Sequence, residues 1–538
     1  MGLASVENLV RKIELVACKN RGIDEAMQRD SRREQGAFFT PYPLVDFVVS
    51  ETLRSWHSSK SQSRETIKVL DPACGDGRFL VTAYGHAIAT DKNIRPELLG
   101  FERDGGFANA ARKAIGENGL VSKIEALTES PKKLEGTIDV VVGNPPYLRS
   151  VALAKSDPEL WNALKGAYLA TSHGEWDLYG AFLEHTLRWL SPEGEAGMII
   201  PSRWLTARNT SRLRKSLGTR GLVRGVVDFG ATQVFPGATT YTSVVFLSRR
   251  KRSKIQVARR DAMGWSFGAL KSAGFDEKPW HLLVGRSKVL LDSLQENSKQ
   301  LGDLARIAKG TGTNADSVFV LNERNLLEKK IVRRCLRGRD IRGYGEAKTG
   351  PELLYPYDEN GRLYTSKEMA RFFPKAWRYL LSNRSVLEKR ERGRFAGESF
   401  YQFGRPQNLA FHAEKTPKIV IPDIARDARA LIDRSGVMCL DSAYAIRTRS
   451  DELPVELLLA VFNSRAIPLW LSLTGIPLRG GYVRLKTAYL NSLPIPKLDR
   501  VAKKIISAVR QEADRSVVED LVRSWYGIEK PSWYPLSK

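Results

Sequence analysis

Apolar residues follow two alternating periods along the first half of the chain, and that alternation is its main structural signal. Behind Thr40-Pro41, a pair suited to starting a helix, Leu44, Phe47, Val48 and Leu53 recur at helical spacing. Short β-branched runs then alternate with helical ones. Ile67–Leu70, Leu98–Phe101 and Ile138–Val142 read as strands, with a weaker one at Lys123–Leu127. Arg78–Ala89, Gly106–Ile115 and Asp177–Leu190 read as helices. Met198–Ile200, Val223–Val227 and Thr242–Leu247 follow as strands, and a basic break, Arg249-Arg250-Lys251-Arg252, closes the series. This pattern predicts an α/β fold with a Rossmann-like, doubly wound, mixed but mainly parallel sheet.

Farther on the alternation fades. Strand-like Lys418–Pro422 and Ala443–Arg447 and helix-like Leu457–Phe462 stand among Gly, Pro, Arg and aromatics, as in an α+β domain. The pattern divides the chain into an N-terminal helical arm (1–35), a first domain (36–250), a linker (251–295), a second domain (296–500) and a helical tail (501–538). A length of 538 residues agrees with several domains.

The stretch Val140–Tyr147, VVVGNPPY, reads as a buried strand stopped by two prolines. In an open α/β sheet, ligands bind off the carboxyl ends of the strands. There the Asn144 amide oxygen and the Pro145 carbonyl, held rigidly together, can accept both hydrogens of one exocyclic amino group. Tyr147 can stack on a flat base beside them. The same residues also suit a plain proline-stopped turn in which Asn144 caps nearby backbone.

A second strand-to-helix junction, Val69–Leu80 (VLDPACGDGRFL), carries a tight glycine turn. Gly75 and Gly77 let backbone pass close to a ligand. No G-K-[ST] follows, so this is not a phosphate loop, and Leu80 stands where a dinucleotide site would want its third glycine. Glu102 ends the next strand, 25 residues past Gly77, where an acid can hold a ribose diol. A glycine turn with a ribose acid points to a nucleoside-bearing cofactor; a structural turn is the alternative.

Charge narrows the partner. The formal net charge is +25, from 85 Lys and Arg against 60 Asp and Glu, which favours a polyanion, nucleic acid first. Basic residues concentrate in two stretches beyond position 296. Arg333, Arg337 and Arg339 lie in one, and Arg392, Arg394 and Arg405 lie among aromatics in the other. These six are candidate DNA contacts. Cys18, Cys74, Cys335 and Cys439 form no C-x-x-C pair and the six histidines no H-x-x-x-H, so no metal site is expected and a reducing cytoplasm is. The N-terminus lacks a signal-peptide layout, and no apolar run approaches the ~18–20 residues that span a bilayer.

Together these segments resemble the amino-methyltransferases that use S-adenosylmethionine. Gly36–Pro41 is similar to their motif X, Asp71–Phe79 to motif I, Leu99–Glu102 to motif II and Asn144–Tyr147 to motif IV. Asp177–Leu205 is similar to the helix and strand that follow motif IV. The order is that of the γ class of DNA adenine-N6 methyltransferases. Residues 296–500 resemble their TaqI-type specificity domain through G-T-G-T-N-x-x-x-V-F-V, K-I-V-I-P, F-N-S and N-S-L-P-I-P.

The resemblance covers most of 36–500. It implies a class I methyltransferase domain with a target-recognition domain behind it, S-adenosylmethionine as cofactor and double-stranded DNA as substrate. It further implies a monomer in a bacterial or archaeal cytoplasm, acting beside a separate restriction endonuclease. Thr40, Asp71, Ala73, Gly75, Gly77, Glu102, Thr128 and Asn144 are thereby assigned to the cofactor. Asn144, Pro145 and Tyr147 are assigned to catalysis, and Tyr147 and Phe235 to stacking on the two faces of the target adenine. Motif III normally supplies an Asp; here the place falls around Leu127-Thr128-Glu129, with Thr128 or Glu129 as its substitute.

An aromatic amine is a poor nucleophile because its lone pair is spread into the ring. Acceptors at Asn144 and Pro145 favour a more tetrahedral nitrogen and stabilise the positive charge that develops as the methyl arrives. No general base is needed before attack. The target must be flipped out of the duplex. The same chemistry could serve RNA or a protein glutamine amide. A fused restriction enzyme is disfavoured, because Pro422-Asp423 has no [DE]-x-K soon after it. A catalytically dead DNA-binding protein is disfavoured by the intact Asn144–Tyr147.

Overall fold

The computed structural model describes residues 40–59, 65–235, 240–261, 264–321, 327–347, 350–425, 429–450, 452–474 and 482–529. The expected N-terminal arm and Gly36–Phe39 lie outside them. The chain divides into two compact units, Met1–Lys288 and Val289–Lys538.

The first unit is built on nine strands: β1 (Thr66–Asp71), β2 (Arg95–Glu102), β3 (Gly119–Lys123), β4 (Ile138–Gly143), β5 (Leu190–Pro201), β6 (Val223–Asp228), β7 (Thr242–Ser248), β8 (Lys254–Asp261) and β9 (Gly264–Lys271). They form one sheet in the order β3-β2-β1-β4-β5-β7-β6-β8-β9. β1 to β5 are parallel, and β7 runs against both β5 and β6.

Every residue of β4 is buried. Val141 packs on one face with Leu70, Ile200 and the helix Leu178–Trp189. Val140 and Val142 pack on the other with Val69, Ile199 and the helix Tyr42–Ser59. A continuous apolar run is what a strand covered on both faces demands. The one acid of the strand, Asp139, accepts from Lys68 N–H and the Ser191 hydroxyl near its start, and the carboxyl end leads into the Asn-Pro-Pro-Tyr loop.

Three expectations need correction. The weak strand expected at Lys123–Leu127 lies earlier, at Gly119–Lys123, in register with β2 from Leu98 to Glu102. Its exposed Gly119 and Leu120 hide the β pattern. Residues 251–295 are no bare linker: β8 and β9 extend the sheet, and a helix covers Gly285–Gln295. The basic run ahead of them misled because its charges are neutralised, Arg250 on Glu193 and Arg252 on buried Glu195. The strand expected at Met198–Ile200 runs twelve residues, from Leu190, through Pro192, Glu193, Gly194 and Glu195, which mask its start.

The second unit holds two four-stranded sheets. One orders Ala305–Lys309, Ala443–Thr448, Lys418–Pro422 and Leu431–Asp433; the other orders Val320–Leu321, Glu352–Leu354, Val332–Leu336 and Met438–Cys439. Lys418 and Asp433 face each other across the first sheet as a fully buried ion pair, 2.6 Å apart. Helices Arg500–Arg510 and Arg515–Trp525 occupy the expected tail, whose residues 530–538 lie outside the described ones. No single helix among the described residues is long and apolar enough to cross a membrane.

Candidate active site

The carboxyl ends of β1, β2 and β4 carry the site. Leu70 pairs with Val141, so Asp71 and Gly143 leave the sheet side by side. A Cβ on Gly143 would sit 2.6 Å from Asp71 Oδ1, which is why the Asn-Pro-Pro-Tyr loop must start from glycine. The turn after β1 bends through left-handed Gly75 (φ 53°) and Gly77 (φ 84°) into the helix Arg78–Thr90. Glu102 ties this turn to the end of β2: Gly75 N–H donates to Oε2 at 2.9 Å and Asp104 N–H to Oε1 at 2.8 Å.

Asp71 is completely buried, and Ala73 N–H donates to its Oδ1 at 3.1 Å. Burial pushes its carboxyl up to about 8 against that hydrogen bond, and the negative charges of Glu102 and Asp76 push the same way. Among the described residues its Oδ2 is buried without a hydrogen-bond partner, and none lies within 4 Å of where a Gly75 Cβ would be. An orphaned acid beside open space over a glycine turn fits a cationic ligand that carries a nucleoside.

Asn144, Thr40 and Tyr147 form one hydrogen-bonded chain. Asn144 Nδ2 donates to Thr40 Oγ1 at 3.1 Å, and the Tyr147 hydroxyl donates to Asn144 Oδ1 at 2.6 Å. That hydroxyl also lies 3.3 Å from the Ile199 carbonyl, and the Tyr147 ring meets Tyr179 edge-on. Thr40, expected at the cofactor, is thus buried against the amide it orients. Arg78 locks the arrangement: its guanidinium pairs with Asp76, donates to the Thr40 carbonyl and lies 5.0 Å from the Tyr42 ring centre. Pro145 is buried between Asn144 and Tyr147 in the loop.

Two expected residues do not join that hydrogen-bonded chain. Phe235 is buried beside Val234 in the apolar cluster that holds Val142 and Ile199. Stacking on a base requires that ring to leave its packing. Thr128 is exposed on the short helix Ala126–Glu129. Glu125, not singled out in the sequence, lies two positions past the end of β3. Its carboxylate caps that helix on Leu127 N–H, and burial raises its proton affinity. Placing β3 at Gly119–Lys123 would have singled it out as the acid at a strand's carboxyl end.

In the second unit the six candidate arginines divide. Arg333 lies 4.8 Å from the Tyr355 ring centre, and Arg337 pairs with Asp340 through Nε (2.8 Å) and Nη2 (3.1 Å). Arg339, Arg392, Arg394 and Arg405 are exposed. Arg390, not singled out in the sequence, is buried and donates to the carbonyls of Leu387, Thr313, Phe400 and Gln402.

The sheet with its reversed β7, the glycine turn after β1, the acid ending β2 and the loop after β4 are those of the class I S-adenosylmethionine-dependent methyltransferase fold. Residues 90–235 match the Eco57I restriction-modification methylase family, and residues 362–495 match the TaqI-like C-terminal specificity domain. The chain is 25% identical to the type II methyltransferase M.XhoI of Xanthomonas vasicola over 92% of its own length and 98% of that protein. It is 25% identical to M.PaeR7I of Pseudomonas aeruginosa over 90% of both. The restriction-modification enzyme MmeI, solved in complex with DNA, shares the fold with a TM-score of 0.60 at 14% identity, over 94% of this chain and 78% of that one. Two regions of the chain are thus similar to the methylase and the specificity regions of restriction-modification enzymes, and S-adenosylmethionine is the cofactor.

Proposed function

We propose that the protein methylates the N6 amino group of an adenine flipped out of duplex DNA at a specific sequence, as the modification enzyme of a restriction-modification pair. The observation that carries this reading is the Thr40–Asn144–Tyr147 chain at the end of β4. Thr40 takes the amide's N–H, so Asn144 Oδ1 is held as an acceptor and is already engaged by a donor, the Tyr147 hydroxyl. An incoming amino group takes that donor's place. The Pro145 carbonyl accepts its second hydrogen, and both oxygens gain strength as positive charge builds on nitrogen.

When bound, S-adenosylmethionine supplies an electrophilic methyl on a sulfonium. Asp71 and Glu102 would hold it from the turn side, Glu102 through the ribose diol. Glu125, in the place of the motif III acid, would accept from the amino group of the cofactor's own adenine. Tyr147 stacks on the target base, joined by Phe235 once that ring leaves its cluster. Phosphate contacts by exposed arginines of the second unit supply affinity that falls with salt.

The net charge of +25 and the TaqI-like specificity region favour duplex DNA over RNA or a glutamine amide. The experiment is transfer of labelled methyl from the cofactor to duplex DNA, RNA and protein in parallel, followed by nucleoside analysis. N6-methyladenine from duplex DNA is expected. Label found as N4-methylcytosine, or only in RNA or protein, would overturn the reading.

A further inference from the structure

Three of the six non-glycine residues at positive φ among the described residues stand at or around one exposed arginine of the second unit. Glu391 and Arg392 are adjacent non-glycine residues in the left-handed region, at φ 47° and 62°, and Gly393 continues the turn at 87°. Residues with a Cβ avoid this region and visit it singly when they do. A second left-handed residue, Asn314 (φ 55°), braces the turn: its Nδ2 donates to Glu391 Oε1 at 2.5 Å. Gly404 makes room for that brace, since a Cβ there would lie 2.4 Å from Asn314 Cγ. Arg394 Nη1 donates to the other Glu391 oxygen at 3.2 Å.

Beneath the turn, Arg390 binds four carbonyls, one of them that of Thr313 next to Asn314, and lies 4.6 Å from the Phe395 ring centre. The backbone is therefore clamped from below and from the side, while the Arg392 side chain stays exposed. A turn that only reversed the chain would settle with glycine or asparagine at 392. Strain retained by over-determined surroundings marks a position with a task.

We propose that Arg392 is a specificity-determining residue that reads a guanine edge in the target duplex, with Asn314, Glu391 and Arg390 as its positioning residues. This rests on the duplex-DNA reading above. Neutralising a phosphate needs a charge and tolerates a mobile stem. Reading guanine O6 and N7 needs the guanidinium fork held in a fixed place. The clamped turn fixes the Cα from which the Arg392 fork is presented, whereas Arg333 and Arg337 engage their guanidinium groups within the fold.

The test uses the full-length protein and sequencing of the DNA it methylates. Arg392→Gly removes the side chain and leaves a turn that glycine adopts freely, and Arg392→Asn is a second variant that tolerates the same conformation. Both should melt at or above the parent's temperature. Discrimination at one G·C pair of the site should fall roughly 10- to 100-fold, with the other positions unchanged. Asn314→Ala, which keeps Arg392 but frees the brace, should relax the same position to a smaller degree. An unaltered site preference in both Arg392 variants overturns the proposal. So does a uniform loss of affinity across sequences with a salt slope reduced by about one, the mark of a phosphate contact. A parent protein that methylates no duplex overturns the duplex-DNA reading and this proposal with it; a parent that does, beside unaltered variants, overturns this proposal alone.

Discussion

The two units use polar residues in opposite ways. In the first, the polar groups of the site stand at strand ends: Asp71, Glu102 and Asn144 each follow a buried run. Position along the strand announces the role. In the second unit, basic residues lie throughout, and many hold the fold. Lys418 is buried on Asp433 and Arg390 on four carbonyls, while half-buried Arg337 pairs with Asp340 and half-buried Arg333 lies against Tyr355. Sequence alone cannot separate those from arginines that face a partner, because the residue type is the same and only burial differs.

Breaking this contrast should be hardest at Arg390. Arg390→Met removes a guanidinium that satisfies four carbonyls, each left to find another donor, and should destabilise the second unit by ~3 kcal/mol or more. Calorimetry should show a weakened or missing transition, while cofactor binding, measured by titration calorimetry, stays near the parent's. Loss of cofactor affinity as well would mean the units are not separable in this way.

A smaller effect is expected at Thr40. Thr40→Val keeps shape but removes the oxygen that orients the Asn144 amide. Turnover should fall about 10-fold, the scale of one lost hydrogen bond of 1–1.5 kcal/mol, with little change in cofactor affinity. Thr40→Ser should restore it. A loss of cofactor affinity with turnover intact would return Thr40 to the cofactor role expected from sequence.

Asp71 gives a pH test. Its carboxyl binds a proton more tightly when folded, since burial lifts it from the ordinary carboxylate value to about 8. The cofactor-free fold should therefore lose stability as pH rises through that window and carry the full penalty above it. Asp71→Asn, which has no proton to lose, should melt a few degrees above the parent near pH 8.5 and with the parent near pH 4. Cofactor affinity of the parent should rise as Asp71 ionises toward a cationic ligand; that of the variant should be weak and flat. Equal melting of parent and variant at both pH values would show that the burial carries no such penalty. Least of all should follow from Arg337→Ala, whose partly exposed pair with Asp340 is worth ~1 kcal/mol or less; altered site preference there would place Arg337 among the DNA readers.

Much of the first unit was legible because strand–turn–helix grammar fixes both fold and site within a few residues. Asp71–Gly77, Glu102 and Asn144–Tyr147 stand where their local sequences put them. What was missed depended on contacts distant in sequence. Thr40 meets Asn144 across 104 positions. Glu125 was hidden by a strand misplaced by four residues at its start, from Gly119 to Lys123. β8 and β9 were obscured by arginines whose partners, Glu193 and Glu195, lie in β5. In the second unit the strand Lys418–Pro422 was visible, but the sorting of its arginines was not, because no local pattern records which guanidinium is buried.

The central claim is that the Asn144 amide oxygen is an acceptor whose value lies in the transition state. Single-turnover methylation by Asn144→Ala, with DNA affinity, cofactor affinity and 2-aminopurine fluorescence at the target position measured beside it, tests this most directly. The account predicts both affinities near the parent's and a methyl-transfer rate at least ~10²-fold lower. An Asn144→Ala variant that methylates at the parent rate would contradict it.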